Sequence, residues 1–148
     1  MSFVNIPRLD LNMYINGSAE QRKRFSDEIG KAFNETGFVT ITNHGLSKEL
    51  IDKLYEQVKS LFNLPEDIKL KYEKAELVGQ RGYTSKGKET AKGFRVPDLK
   101  EFWQIGQTVT DGDPVKNEYP ENLVVTELPE FNTTTREVYQ KLEAAGKA

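Results

Sequence analysis

The sequence predicts an α+β fold in which helices pack on a small sheet of two or three strands. Three observations carry this. Apolar residues recur at helical spacing in three separate stretches. The runs FVTIT and EFWQIGQTV are rich in the β-branched and aromatic residues that favour strands. The segments follow the order β-α-β-α-(α)-long loop-β-loop-α without internal repeat, so few strands serve several helices.

The stretch VNIPRLDLN reads as a short edge strand, because Pro7 is tolerated only at an edge or a strand start. Ser18 opens a helix, and Ser18 with Gln21 has capping-box spacing. Phe25, Ile29, Ala32 and Phe33 form its apolar face. Gly37 stands where a left-handed C-terminal cap belongs. Phe38 to Thr42 is the second strand. NHGLS is a turn, and Ser47 caps a second helix with the face Ile51, Leu54, Val58, Leu61 and Phe62. Pro65 ends that helix and starts a short third one through Tyr72.

Residues 75–98 read as one long loop, punctuated by Gly79, Gly82, Gly87, Gly93 and Pro97 and rich in Lys and Arg. EFWQIGQTV follows as a strand and DGDP as a turn. Pro114, Pro120 and Pro129 predict extended chain over 113–130, with NLVV ambiguous. A final helix begins near Pro129, with Phe131, Thr135, Val138, Leu142 and Ala145 in step and Gly146 as a possible cap.

Composition narrows the function. The chain has 148 residues, enough for one ordinary domain. Its 21 basic and 23 acidic residues give a net charge of −2, which argues against a general nucleic-acid binder. It has no Cys, so thiolate metal sites and disulfides are excluded. The N-terminus lacks the basic-then-apolar pattern of a signal peptide. No apolar run approaches the ~20 residues of a membrane span. A cytoplasmic setting is the expectation. Counted with Gly and without Tyr, apolar residues are about 40% of the chain, against roughly 45–50% for an ordinary globular domain. Part of the core is therefore expected to lie elsewhere. Phe102, Trp103, Ile105, Val138 and Leu142 are the candidates for an exposed apolar patch, which would make the isolated chain prone to association.

The stretch QRGYTSKGKETAKG nearly matches a phosphate-binding loop, with Gly82, four residues, then Gly87 and Lys88. Glu89 replaces the hydroxyl residue that would bind magnesium and would itself repel phosphate. No buried strand precedes the loop, and Gly93 and Pro97 forbid a long helix after it. Nucleotide binding is thus disfavoured against a solvated basic loop. His44 is the only histidine, so two imidazoles and a carboxylate cannot be assembled around iron from these residues. A lone histidine in a strand–helix turn is expected to be structural. A Ser-His-Asp triad would also have to use His44, and no G-x-S-x-G occurs. Asp27, Glu28, Glu56 and Glu73 look like solvated faces. The residues alone therefore offer no catalytic set and no metal site.

The ordered segments IPRLDL, AFNETGFVTITNHGL, LFNLPEDIKLKY, RGY, DLKEFWQIG and YPENL…LPEF resemble the N-terminal region of the non-haem iron, 2-oxoglutarate-dependent dioxygenases related to isopenicillin N synthase. GFVTITNHGLS is similar to that family's GFFYVVNHGI signature. The resemblance runs from about Ile6 to the last helix. It implies that residues 1–148 are a helix-rich N-terminal domain, with a mobile loop at about 75–98, of a larger jelly-roll (double-stranded β-helix) oxygenase. The jelly roll would be this domain's partner in the same protein. It would hold Fe(II) through H-x-D and a distal His, and 2-oxoglutarate through R-x-S. Those motifs are absent from this chain, so the chain alone is expected to bind neither cofactor and to be inactive.

By the same resemblance, the basic glycine loop lies near the active-site mouth. Gln80, Arg81, Tyr83 and Thr84 are the expected substrate-binding lid residues, meeting polar or anionic groups of a small molecule. The alternative is that Tyr83 is a buried anchor and the charges are solvated. His44 would fix its turn, and Phe102 and Trp103 would fill an interface. The activity implied is O2-dependent hydroxylation, desaturation or cyclisation, with neither nucleic acid nor membrane as partner. The alternative function is a non-catalytic binding domain that kept this architecture.

Overall fold

The computed structural model describes residues 5–90, 92–93 and 95–148. Val4, at the head of the expected first strand, and Ala91 and Phe94, in the expected loop, lie outside them. The expectation of helices with little sheet holds, but the described strands form two separate two-stranded sheets, not one. The chain divides into two units, residues 1–48 with 140–148 and residues 49–139.

The first unit is a βαβ arrangement. Strand β1 (Arg8–Asp10) pairs in parallel with β2 (Thr40–Thr42), Leu9 standing opposite Ile41. The expected edge strand thus starts just after Pro7, whose carbonyl accepts the Thr40 amide at 2.8 Å. A short helix α1 (Asn12–Ile15), which no periodicity announced, follows at once. Helix α2 (Ala19–Thr36) makes the crossover. Its capping box forms as expected: Ser18 Oγ accepts the Gln21 amide, and the Gln21 side chain accepts the Ser18 amide at 2.8 Å. Gly37 ends it in the left-handed conformation, φ +75°.

Leu9, Leu11 and Phe25 form the core of this unit, with Tyr14, Ile29, Val39, Ile41 and Ala145 against it. Phe33 does not join them and is 56% exposed. Phe25, Ile29 and Ala32 already fill the inward stripe, and Phe33 is turned about 100° from Ala32. In the NHGLS turn, Asn43 adopts φ +55° and its Nδ2 donates to Asp10 Oδ1 at 2.8 Å.

The second unit holds helix α3 (Lys48–Phe62) from Glu49 on, helix α4 (Glu66–Leu70), strands β3 (Gly82–Thr84) and β4 (Phe102–Gln104), and helix α5 (Pro129–Gly146) as far as Tyr139. The five expected positions of the α3 face are all buried or half-buried. Leu61, Val125 and Phe131 form the core, flanked by Val58, Leu64, Tyr72, Trp103 and Leu128. Trp103 meets Phe131 edge-on at 5.5 Å between ring centres.

The stretch expected as one loop is built otherwise. Ala75–Leu77 forms a 3-10 turn, and Gly82–Thr84 is the antiparallel partner of β4. Further on, Thr90 bridges to Pro97, and the Asp98 amide donates to the Glu89 carbonyl at 2.8 Å.

β4 is shorter than EFWQIGQTV. Beyond it the backbone of Gly106 finds a side chain instead of a strand: its amide donates to Asn122 Oδ1 and its carbonyl accepts from Asn122 Nδ2, both at 2.8 Å. Asn132 clamps Val125 in the same two-handed way, at 2.9 and 2.8 Å. These amide clamps satisfy backbone groups that a ladder would otherwise take.

The expected apolar patch is only partly present. Val138 is buried, because it follows Phe131 at i+7 on the inward face of α5, whereas Leu142 is 53% exposed. Phe102, Trp103 and Ile105 are half-buried and line a groove with Leu54, Val58 and Leu61. Gly146 is the last helical residue, not a left-handed cap, and the Lys147 amide still bonds to the Glu143 carbonyl at 3.0 Å. Among the described residues, no helix is long and apolar enough to cross a membrane.

Candidate functional site

Gln80, Arg81, Tyr83 and Thr84 line one cleft of about 700 Å3. Gln80 and Arg81 lie on the segment between the 3-10 turn and β3, and β3 itself delivers Tyr83 and Thr84. Gly82 sits between them at φ +84°, a conformation that favours glycine. The cleft wall also includes Glu73, Lys74, Lys88, Glu89 and Gln104.

The four expected residues differ in exposure. Gln80 is exposed, whereas Arg81, Tyr83 and Thr84 are nearly buried, with Tyr83 at 3%. Tyr83 is held by its hydroxyl, which donates to Glu101 Oε2 at 2.5 Å. The same oxygen accepts from Lys69 Nζ at 2.7 Å, and Lys69 also donates to the Phe62 carbonyl. Lys69 lies 5.4 Å from the Tyr83 ring centre, a cation–π contact. One carboxylate thus ties α4, β3 and the residue before β4 together. Its partners stand 32 and 18 positions away, so no local pattern could reveal it.

Arg81 has a different environment. Its Nη1 donates to the Gln80 carbonyl at 2.7 Å, while its buried Nε has no partner among the described residues. The guanidinium lies against Gly106, where a Cβ would stand 2.1 Å from its Cζ. Arg81 is therefore fixed in place by a backbone that only glycine leaves open.

These contacts shift the acids and the phenol. Hydrogen bonds from Lys69, then Tyr83, hold the Glu101 carboxyl below the usual carboxylate range. The Ser85 amide does the same for Glu73, assisted by the Ser85 hydroxyl and Lys88. Burial, then the Glu101 bond, pushes the Tyr83 phenol well above its ordinary value. A depressed carboxylate contributes stability that is present above its unfolded pKa, near 4.5, and lost as pH falls through the folded value. A raised phenol contributes stability below about pH 10 that fades as pH rises toward the folded value. Thermal melts across pH should therefore show Tm falling below about pH 4.5 and again above pH 10. Glu101→Gln should flatten the acid limb, and an unchanged limb would assign it to other carboxylates.

His44 lies in the other unit. Its Nδ1 accepts the Leu46 amide at 3.2 Å, so it shapes the turn between β2 and α3. Among the described residues, no three His, Asp or Glu side chains gather as a metal would require.

Comparison with known proteins adds to this geometry. Residues 6–127 match the family described as the non-haem dioxygenase in morphine synthesis N-terminal region. The chain is 31% identical to the 2-oxoglutarate-dependent dioxygenase thnC of Trichoderma harzianum, over 97% of this chain and 45% of that protein. It is 34% identical to the 2-oxoglutarate-dependent dioxygenase frbA of a Dothideomycetidae species, over 70% of this chain and 34% of that one. Among solved structures, a 2OG-Fe(II) oxygenase family protein from Caulobacter crescentus superposes with a TM-score of 0.79 at 31% identity, covering 95% of this chain and 45% of that one. A full-length Neurospora crassa protein, solved in complex with alpha-KG, shares the fold, with a TM-score of 0.71 at 22% identity over 94% of this chain and 43% of that one. The chain thus spans less than half the length of each of these proteins.

Proposed function

The chain belongs to the N-terminal family of the non-haem, 2-oxoglutarate-dependent dioxygenases, and from that membership we propose that it is the substrate-enclosing N-terminal part of an oxygenase that oxidises a small molecule with O2. Hydroxylation, desaturation and cyclisation are the outcomes open to such an enzyme. Fe(II) and 2-oxoglutarate would bind in the jelly-roll part of the longer protein. The residues here do not fit an iron site: the chain's single imidazole spends Nδ1 on a backbone amide, and carboxylates alone do not build the facial triad. No step through iron is assigned to these residues.

The observation that supports the enclosing role is the gathering of Gln80, Arg81, Tyr83 and Thr84 on one cleft. Polar side chains on a concave wall orient a small molecule and keep bulk water from it. Tyr83 contributes its ring, since its hydroxyl is committed to Glu101. In the longer protein, Arg81→Ala is expected to raise the substrate KM by about tenfold or more, the worth of one charged hydrogen bond. Bound iron should stay unchanged. Steady-state kinetics beside metal analysis decide this, and an unchanged KM would return the wall to a purely structural role.

A further inference from the structure

We propose that the cleft is a carboxylate site, in which Arg81 and Lys74 hold a monoanionic carboxylate of a small molecule. This rests on the reading of the cleft as substrate-enclosing and names the chemistry it selects. Arg81 is 9% exposed, yet no carboxylate among the described residues pairs with it. A guanidinium withdrawn from water this far ordinarily has a counter-charge. Its Nη1 is used by the Gln80 carbonyl and its Nε has no acceptor.

The acids on the same wall are already engaged. Glu73 accepts the Ser85 amide and hydroxyl, both at 3.0 Å, and has Lys88 at 3.6 Å, while Glu89 pairs with Lys100 at 2.8 Å. The Lys74 ammonium, also on the cleft, has no ion-pair partner among the described residues. Positive charge therefore exceeds negative where the ligand would lie. Two cationic groups, with Glu73 and Glu89 nearby, suit a monoanion better than a phosphate dianion. The planar guanidinium matches a planar carboxylate. Gly106 leaves the guanidinium its room, since an added Cβ there would stand 2.1 Å from Cζ.

The chain, labelled with 15N, is titrated with sodium benzoate, with inorganic phosphate and with sodium chloride at equal ionic strength. The Arg81 Nε–H resonance is followed with the amides of 80–84. Benzoate is expected to move them saturably through its ring current, chloride not at all, and phosphate more weakly. Lys74→Ala, a change at an exposed side chain, is expected to weaken benzoate by about threefold. An unmoved Arg81 resonance in the folded spectrum overturns the site, and tighter phosphate than benzoate overturns the carboxylate. Saturable benzoate binding with an unchanged KM in Arg81→Ala of the longer protein would sink the enclosing role and leave the anion site standing. A raised KM without benzoate binding would do the reverse.

Discussion

Glu101→Gln is expected to lower the unfolding free energy of the chain by about 3 kcal/mol, the usual loss when one member of a buried pair is removed. The side chains of Lys69 and Glu101 are only 10% and 17% exposed. The amide keeps the shape of the acid but not its charge, so Lys69 is left as a nearly buried cation. The Tyr83 hydroxyl keeps a weaker acceptor. Replacing all three partners by apolar residues, Lys69→Met with Glu101→Leu and Tyr83→Phe, should recover much of the loss, since no polar group of the cluster is then left buried without a partner. Urea denaturation of the two variants separates these cases. A loss below about 0.5 kcal/mol in Glu101→Gln would mean that water screens the pair as it does at a surface.

Gly82→Ala should be equally damaging, at about 3 kcal/mol, for a different reason. The backbone there has φ +84°, and an added Cβ would lie 2.5 Å from both the Tyr72 carbonyl oxygen and Leu123 Cδ1. That carbonyl cannot retreat without breaking its bond from the Tyr83 amide, 3.1 Å long. Gly37 supplies the comparison. It has φ +75° but nothing within 4 Å of its Cβ position. Gly37→Ala should therefore show only the left-handed strain of about 1–2 kcal/mol. If the two variants unfold at the same urea concentration, crowding at Gly82 is absent in solution.

The parts of the fold legible in the sequence are those encoded locally. Ser18 with Gln21 and Gly37 bracket α2, and the stripe from Ile51 to Phe62 gives α3, because caps and periodicity act over a few residues. α1 spans four residues, too few for a period to show. β3 was hidden because two of its three residues, Gly82 and Thr84, resemble loop and its partner lies beyond a basic stretch. The division into two sheets depends on which strands meet, which alternation within one strand does not encode.

The expectation for the candidate site rests on the resemblance that RGY helps to carry, not on the chemistry of its residues. The four residues expected as a substrate-binding lid line one cleft, and their contact with substrate is proposed. Gln104 comes to that wall through the pairing of β4 with β3. The burial of Arg81 had no local signal either, since it depends on Gly106, 25 positions later. A glycine after an apolar strand, with an Asn further on, is the nearest thing to a clue.

The clamp between Asn122 and Gly106 has a consequence for chain length. The two residues are 16 positions apart and are tied by a pair of hydrogen bonds. The excursion between them leaves and returns at one point. Doubling such an excursion adds only about 0.6 kcal/mol of closure entropy. In closure entropy, segment 107–121 can therefore gain residues at little cost, while the Gly106–Asn122 clamp keeps its two ends together.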